Sequence, residues 1–265
     1  MRTFLATHWK SIVALVILVL LAVITMSPGA ATPGLAARLR TNVESIASSE
    51  HNPATHAARY IEDTLAQQGY RVRRQEYLAD RVVVRNIEVS LANVAAGARP
   101  DRIFIIGAHY SPTPGAGDNG SGAAAVLELA RLLRAAHPRQ GTEVRFTFLV
   151  NEGPPGPAGH DPAPGNFIAF VGTRAWAQVV AQALAAFRAG PDLPAQGLAA
   201  PAYVQGLTLS GPGYPALMLT DTAFLRSPYD DTASDTTDKL NYTSMARVVA
   251  GLSHAIATLA GTTSG

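Results

Sequence analysis

Three short apolar runs constrain the fold more than any other feature of the sequence, because a polar side chain follows each of them. Each run is long enough for one buried strand of a parallel sheet and too short for a helix. Parallel strands present their carboxyl ends at one edge of a sheet, and ligands bind at that edge. The runs are Ile103–Ala108, Glu143–Val150 and Ala216–Leu219, and they are followed by His109, Glu152 and Asp221. We therefore expect these three polar side chains to share one cleft.

Helical patterns separate these runs, so strands and helices alternate along the chain. Apolar residues recur on one face of the stretch after Pro53, and Gly69 ends that helix. Residues 70–75 and 82–91 alternate as strands do, and "GNFIAFVG" from Gly165 predicts another strand. Further helices are predicted over Leu35–Ala47, Gly122–Ala136, Arg174–Phe187 and Ser244–Leu259. This order predicts an α/β fold of three layers, with a mostly parallel central sheet and helices on both faces.

The composition is that of a folded domain and narrows the classes of partner. Hydrophobic residues make up 48% of the 265 residues, which is enough for a sizeable core. The net charge is only +2 and the arginines are scattered, so we expect no nucleic-acid partner. The chain has no cysteine, which excludes disulfides, thiol nucleophiles and cysteine zinc sites. The composition leaves the oligomeric state open.

The first 27 residues predict a membrane anchor or a signal segment. Arg2 and Lys10 precede an apolar stretch whose core, Ile12–Ile24, is short of the roughly 20 residues that span a membrane. Flanking Thr, Ser and Ala can lengthen the span, and the basic end then stays in the cytoplasm. A signal peptide cleaved near Gly29–Ala31 is the alternative. Both interpretations place the rest of the chain outside the cytoplasm. The predicted parts are a segment at 1–27, a linker at 28–34 and a domain at 35–265.

One segment, "GAHYSPTPGAGDNGSGAAAVLELA" at residues 107–130, places a histidine at a strand end and an aspartate on a glycine-rich turn before a helix. This segment, "VRFTFLVNEGPP" and the stretch from Tyr214 to Leu252 resemble, in that order, three motifs of the co-catalytic (two-zinc) aminopeptidase family. The resemblance is to the aminopeptidase S and aminopeptidase Y type, to which the transferrin receptor ectodomain is related. It extends from Arg38 to Leu252, and it implies the zinc exopeptidase fold.

The resemblance also implies a metal site. His109 matches a ligand of one zinc ion, and Asp118 matches the carboxylate that bridges two ions. Glu152 matches the general base that activates water. Asp231 stands where the family has a histidine ligand, and a carboxylate can also bind zinc.

Several positions depart from the family pattern. Ser111 replaces an aspartate that supports the metal-bound histidine, and Gly153 stands where the family has a second glutamate, a zinc ligand. The 13 residues 153–165 contain five prolines and four glycines, so they cannot form the helix that the family has there. The strand after that helix, with another carboxylate ligand, is missing too. We therefore expect one weakly bound zinc ion or none, where the family holds two.

Each site residue also has a simpler interpretation. Asp118 suits a helix entry, Glu152 a solvated strand end and Asp231 a polar loop. Two functions therefore stay open. The first is a membrane-anchored, extracytoplasmic zinc metallopeptidase of the aminopeptidase type, which acts on peptides and is impaired by its lost ligands. The second is a non-catalytic binding or structural module that keeps the peptidase fold.

The amino-terminal segment generates the first prediction. We expect the chain to remain attached to the membrane, because Arg2 and Lys10 precede the apolar stretch and favour an uncleaved anchor. Cell fractionation with mass spectrometry of the purified amino terminus measures this. A soluble product that begins near Ala31 or Thr32 would show a cleaved signal peptide instead.

Overall fold

The fold comes from a computed structural model, which describes residues 33–47, 53–79, 82–110, 116, 120–150, 168–190, 193–199, 203–204, 207–208, 217–220 and 234–262. The helices of these residues are α1 Pro33–Ile46, α2 Pro53–Gln67, α3 Ser121–Leu133, α4 Ala177–Arg188 and α5 Tyr242–Ala260. The strands are β1 Arg73–Ala79, β2 Val82–Asn93, β3 Arg102–Tyr110, β4 Thr142–Val150, β5 Ile168–Gly172, β6 Ala195–Ala199, β7 Tyr203–Val204, β8 Leu207–Thr208 and β9 Leu217–Thr220. The predicted helices and strands are present within a few residues, whereas β6, β7 and β8 were not predicted.

The strands form two main sheets rather than one. The first sheet has the order β1-β2-β4-β3, and the second has the order β6-β5-β9. In the first sheet β3 is parallel to β4, while β1–β2 and β2–β4 are antiparallel. In the second sheet β5 is parallel to β6 and antiparallel to β9. Strands β7 and β8 form a separate antiparallel pair.

The prediction of a mostly parallel sheet is wrong for the described strands, because most of their pairings are antiparallel. Residues 87–92 of β2 alternate between buried apolar and more polar positions, for example Ile87, Glu88, Val89 and Ser90. Such alternation is typical of antiparallel strands with one face toward water.

The helices pack on one face of the first sheet. Apolar side chains from β2, β3 and β4 on this face join α1, α2, α3 and α5 in the larger core. The core-facing side chains of β4 are Val144, Phe146 and Phe148, all buried.

The opposite face of the first sheet is partly exposed. Ile105 of β3 is 66% exposed, and Leu149 of β4 is 47% exposed. Nearby, Arg145 donates a hydrogen bond of 2.9 Å to Glu143, which lowers the pKa of that carboxyl group. The predicted cover of helices on both faces is therefore absent from the first sheet as far as the described residues show.

Helix α5 joins the two halves of the fold. It contributes Ala246, Val249 and Ala260 to the larger core and Ala255 to the smaller core under the second sheet. It packs on α1, α3 and α4. The Asn241 side chain caps its first turn by accepting from Ser244 N at 3.0 Å, as N-cap residues do.

A buried carboxylate ties the first three helices together. Glu128 of α3 is 2% exposed, and its Oε1 accepts a hydrogen bond of 3.2 Å from Asn42 Nδ2. Its Oε2 accepts from Arg38 Nε at 3.0 Å and from Arg131 Nε at 2.8 Å. Tyr60 of α2 donates to Asn42 Oδ1 at 2.7 Å. A buried charge is tolerated only when it is paired in this way.

None of the described helices is both long enough and apolar enough to cross a membrane. The predicted anchor at residues 12–24 lies outside the described residues.

The Glu128 network generates a stability prediction. Glu128→Gln keeps the shape of the side chain but removes the charge that binds two arginines, so we expect a loss of about 2 kcal/mol in the free energy of unfolding. Glu44→Gln is the control, since Glu44 has an exposed i,i+4 pair with Arg40 and should lose less than about 0.5 kcal/mol. Urea unfolding of both variants measures the difference. Equal losses would show that the buried network does not stabilise the helices.

Candidate active site

The carboxyl ends of β3 and β4 lie side by side, as the sequence predicted for these two strands. Their parallel register pairs His109 with Leu149 and Tyr110 with Val150. The His109 side chain is partly buried, and its Nε2 atom is shielded from solvent. Glu152 itself lies outside the described residues, but it follows Val150 by two residues, a reach of about 7 Å. The strand pairing therefore brings the chain that leads to Glu152 beside His109.

The start of α3 abuts the same strand end. A Cβ atom placed on Gly122 would lie 3.3 Å from the Cβ of Ala108, the residue before His109. Only a residue without a side chain allows the helix to come this close without displacing its neighbour. Asp118 precedes this helix start by a few residues and lies outside the described residues.

A backbone contact connects Ala116 with Asp235, two residues that are close in sequence to Asp118 and Asp231. Ala116 is buried, and its N–H donates a hydrogen bond of 3.1 Å to the carbonyl of Asp235. Asp118 follows Ala116 by two residues, and Asp231 precedes Asp235 by four. Asp231 also lies outside the described residues, as do Ser111 and Gly153. The contact brings together Ala116 and Asp235, each of which is close in sequence to a predicted carboxylate ligand.

The third predicted strand end belongs to a different sheet. Strand β9 pairs antiparallel with β5, so its carboxyl end lies beside the amino end of β5. The prediction that this strand ends next to β3 and β4 in one parallel sheet is therefore wrong for the described pairings. Asp221 lies outside the described residues.

Sequence reasoning missed two side chains that form hydrogen bonds at the carboxyl ends of β3 and β4. Tyr110 is 1% exposed, and its hydroxyl donates a short hydrogen bond to the carbonyl of Arg85 in β2. Burial raises the pKa of Tyr110, so the hydroxyl stays protonated and can donate. Asn86 of β2 accepts a hydrogen bond of 3.1 Å from Val150 N. An asparagine inside a strand is uncommon, and this was the one sequence signal that could have pointed to Asn86.

His109 is the described part of the predicted metal site. Within the described ranges, no three His, Asp or Glu side chains are grouped closely enough to hold a metal ion. Of the four predicted site residues the structure describes His109 alone. Its nitrogen donor is a common zinc ligand and is shielded from water, which fits a place in a metal site.

Comparisons with known proteins bear on this geometry. Residues 90–193 match the sequence model of peptidase family M28. The uncharacterized protein YfbL of Escherichia coli (strain K12) is 31% identical over 257 residues, which takes in 74% of this chain and 77% of that protein. The chain belongs to peptidase family M28. The alignment is 257 residues long, which is more than 74% of the 265 residues of this chain. Part of the aligned region of YfbL therefore has no counterpart in this M28 chain.

Solved structures of low sequence identity share the fold of this M28 member. A leucine aminopeptidase precursor from Bacteroides thetaiotaomicron has a TM-score of 0.56 at 15% identity, over 83% of this chain and 96% of that one. A Zn-dependent exopeptidase from Parabacteroides distasonis has a TM-score of 0.57 at 16% identity, over 82% and 96%. A glutaminyl cyclase from Fimbriiglobus ruber has a TM-score of 0.62 at 17% identity, over 85% and 96%. The chain therefore has an α/β mixed-sheet fold like that of zinc exopeptidases.

The pairing of β3 with β4 generates a prediction for the site. A Cβ atom on Gly107 would lie 2.7 Å from Oγ1 of Thr147, which is directly opposite in β4. We expect Gly107→Ala to lower the free energy of unfolding by about 1 to 3 kcal/mol, because the two strands must separate or Thr147 must move.

The double variant Gly107→Ala, Thr147→Ala is the control, because it removes the atom that the new methyl group would meet. We expect it to recover most of the lost stability in urea unfolding. A Gly107→Ala protein as stable as the wild type would show that the two strands are not packed this closely.

Proposed function

We propose that this chain is an extracytoplasmic M28 metallopeptidase that holds one zinc ion near His109 and has weak aminopeptidase activity toward peptides. The observation that supports this most is the parallel register of β3 and β4, which brings His109 beside the chain that leads to Glu152. Membership of family M28 supplies the class of reaction.

The proposed ligands of the ion are His109, Asp118 and Asp231. His109 and Asp118 remain on the side of one ion of the family's pair, and Asp118 with Asp231 on the side of the other, so each position keeps two protein ligands where a catalytic zinc uses three. The contact between Ala116 and Asp235 supports this set, because these two residues are close in sequence to the two carboxylates. A bound zinc ion would polarise the carbonyl of the scissile peptide bond. Glu152 would accept the proton of the attacking water as general base.

The weakness of the activity follows from the residues that differ from the family. Gly153 provides no ligand for a second ion, and Ser111 lacks the carboxylate that would orient His109. The loss of such supporting groups typically lowers metal affinity or activity by about 10- to 100-fold. The unmatched part of the YfbL alignment agrees with a shortened chain. The anchor predicted at residues 1–27 would hold the domain at the outer surface of the membrane.

Zinc content and turnover test the proposal together. We expect the full-length chain, purified in detergent and dialysed against micromolar zinc, to hold one weakly bound zinc ion, since two protein ligands fall short of the three that a catalytic zinc site uses. His109→Ala should lose the ion. His137→Ala is the matched control, because His137 is exposed and lies away from the site. Turnover of aminoacyl-anilide substrates should be slow and should disappear in Glu152→Gln.

Three other outcomes would change the proposal. Two tightly bound ions with fast turnover would show that the site is intact and that the predicted impairment is wrong. A folded chain with neither zinc nor turnover would support the non-catalytic module. Reaction with a glutaminyl peptide in place of the anilide would assign the activity of a glutaminyl cyclase, a protein whose structure shares this fold.

A further inference from the structure

Strand β2 continues past the end of β4. The backbone pairing of β2 with β4 ends where Ile87 faces Phe148, yet β2 begins at Val82. Residues 82–86 are paired with β1 on one side only. The last N–H of β4, that of Val150, therefore lies beyond the backbone ladder. It donates instead to the side-chain oxygen of Asn86 at 3.1 Å.

The neighbouring residue of β2 holds the end of β3. Strand β4 lies between β2 and β3. The Tyr110 side chain nevertheless reaches across the end of β4, on the core side of the sheet, and donates to the carbonyl of Arg85. Arg85 is itself fixed, since its Nη1 lies 3.3 Å from Oε1 of the largely buried Glu62 in α2.

We infer that Asn86 and Tyr110 are positioning residues for the metal site. Together with the Arg85 carbonyl they form an end clamp, which joins the carboxyl ends of β3 and β4 to one dipeptide of β2. Tyr110, which bonds to the Arg85 carbonyl, is adjacent to His109 in sequence. Val150, which bonds to Asn86, is two residues before Glu152. This inference rests on the proposed function, because it assigns the clamp to the same site.

The physical reason is that such a site tolerates only small displacements of its side chains. A displacement of about 1 Å between reacting groups can cost roughly 100-fold in rate. The pairing of β2 with β4 stops at Ile87 and Phe148, before the ends of β3 and β4, so the end clamp limits how far the strand ends that lead to His109 and Glu152 can separate. An asparagine with only a structural role would accept the hydrogen bond from the Val150 N–H. Its replacement would then lower stability and leave zinc binding unchanged.

Two asparagines of β2 make a matched experiment. Asn93 lies at the opposite end of the strand, where its Nδ2 donates to the Pro138 carbonyl at 2.8 Å. Asn86→Ala and Asn93→Ala each remove one hydrogen bond between a side chain and the backbone. We therefore expect similar losses of stability in urea. We expect only Asn86→Ala to weaken zinc binding, by about 10- to 100-fold, the range for loss of a supporting partner.

Zinc affinity is measured on the full-length chain by competition with a chromophoric chelator. Asn86→Asp keeps an acceptor oxygen for Val150 N and should restore most of the affinity. Tyr110→Phe keeps the buried ring, removes the donor and should weaken binding as Asn86→Ala does. Wild-type affinity in Asn86→Ala, or equal losses in the two alanine variants, would overturn the inference.

Amide exchange separates this inference from the proposed function. In Asn86→Ala the Val150 amide should exchange at least roughly tenfold faster, while the amide of Thr142 at the other end of β4 keeps its protection. If the wild type binds no zinc, the proposed function fails, and faster exchange confined to the ends of β3 and β4 still supports the clamp. Unchanged exchange at Val150 would overturn it.

Discussion

The pairing of β3 with β4 is the constraint on which the rest of the structure depends. Two parallel strands need a long crossover between them, and α3 provides it. The crossover is tight at its start, where Gly122 packs against Ala108, and the strands are tight at Gly107 and Thr147. The chain that joins β3 to α3 contains Asp118, which is proposed as a metal ligand.

The sequence predicted the elements better than their arrangement. Apolar periodicity identified α3, β3 and β4, because burial on one or both faces leaves a pattern in the residues. It did not show that β2 and β4 are antiparallel or that β9 belongs to a second sheet. Those pairings depend on contacts between distant parts of the chain. The 13-residue segment rich in proline and glycine predicts on local grounds that no helix forms between β4 and β5, and this segment lies outside the described residues.

The same distinction applies to the candidate site. His109 could be predicted, because a histidine directly after a buried strand is visible in the sequence and the family motif surrounds it. Asn86 and Tyr110 could not, because their partners are 64 and 25 residues away along the chain. Only the combined register of β2, β4 and β3 brings these groups together. The proposed ligand can thus be predicted from a motif, whereas the proposed positioning residues can be identified only from the pairing of the strands.

The position of α5 has a consequence for the order in which this protein can fold. The helix completes both hydrophobic cores, yet it is synthesised after every other described element. While the ribosome is still making the chain, β3, α3 and β4 can form, but the hydrophobic core that they share still lacks the side chains of α5. Contacts between segments so far apart are slow to form. The core-facing apolar side chains of β4, which are Val144, Phe146 and Phe148, therefore remain a hazard for association between nascent chains until the last helix has emerged.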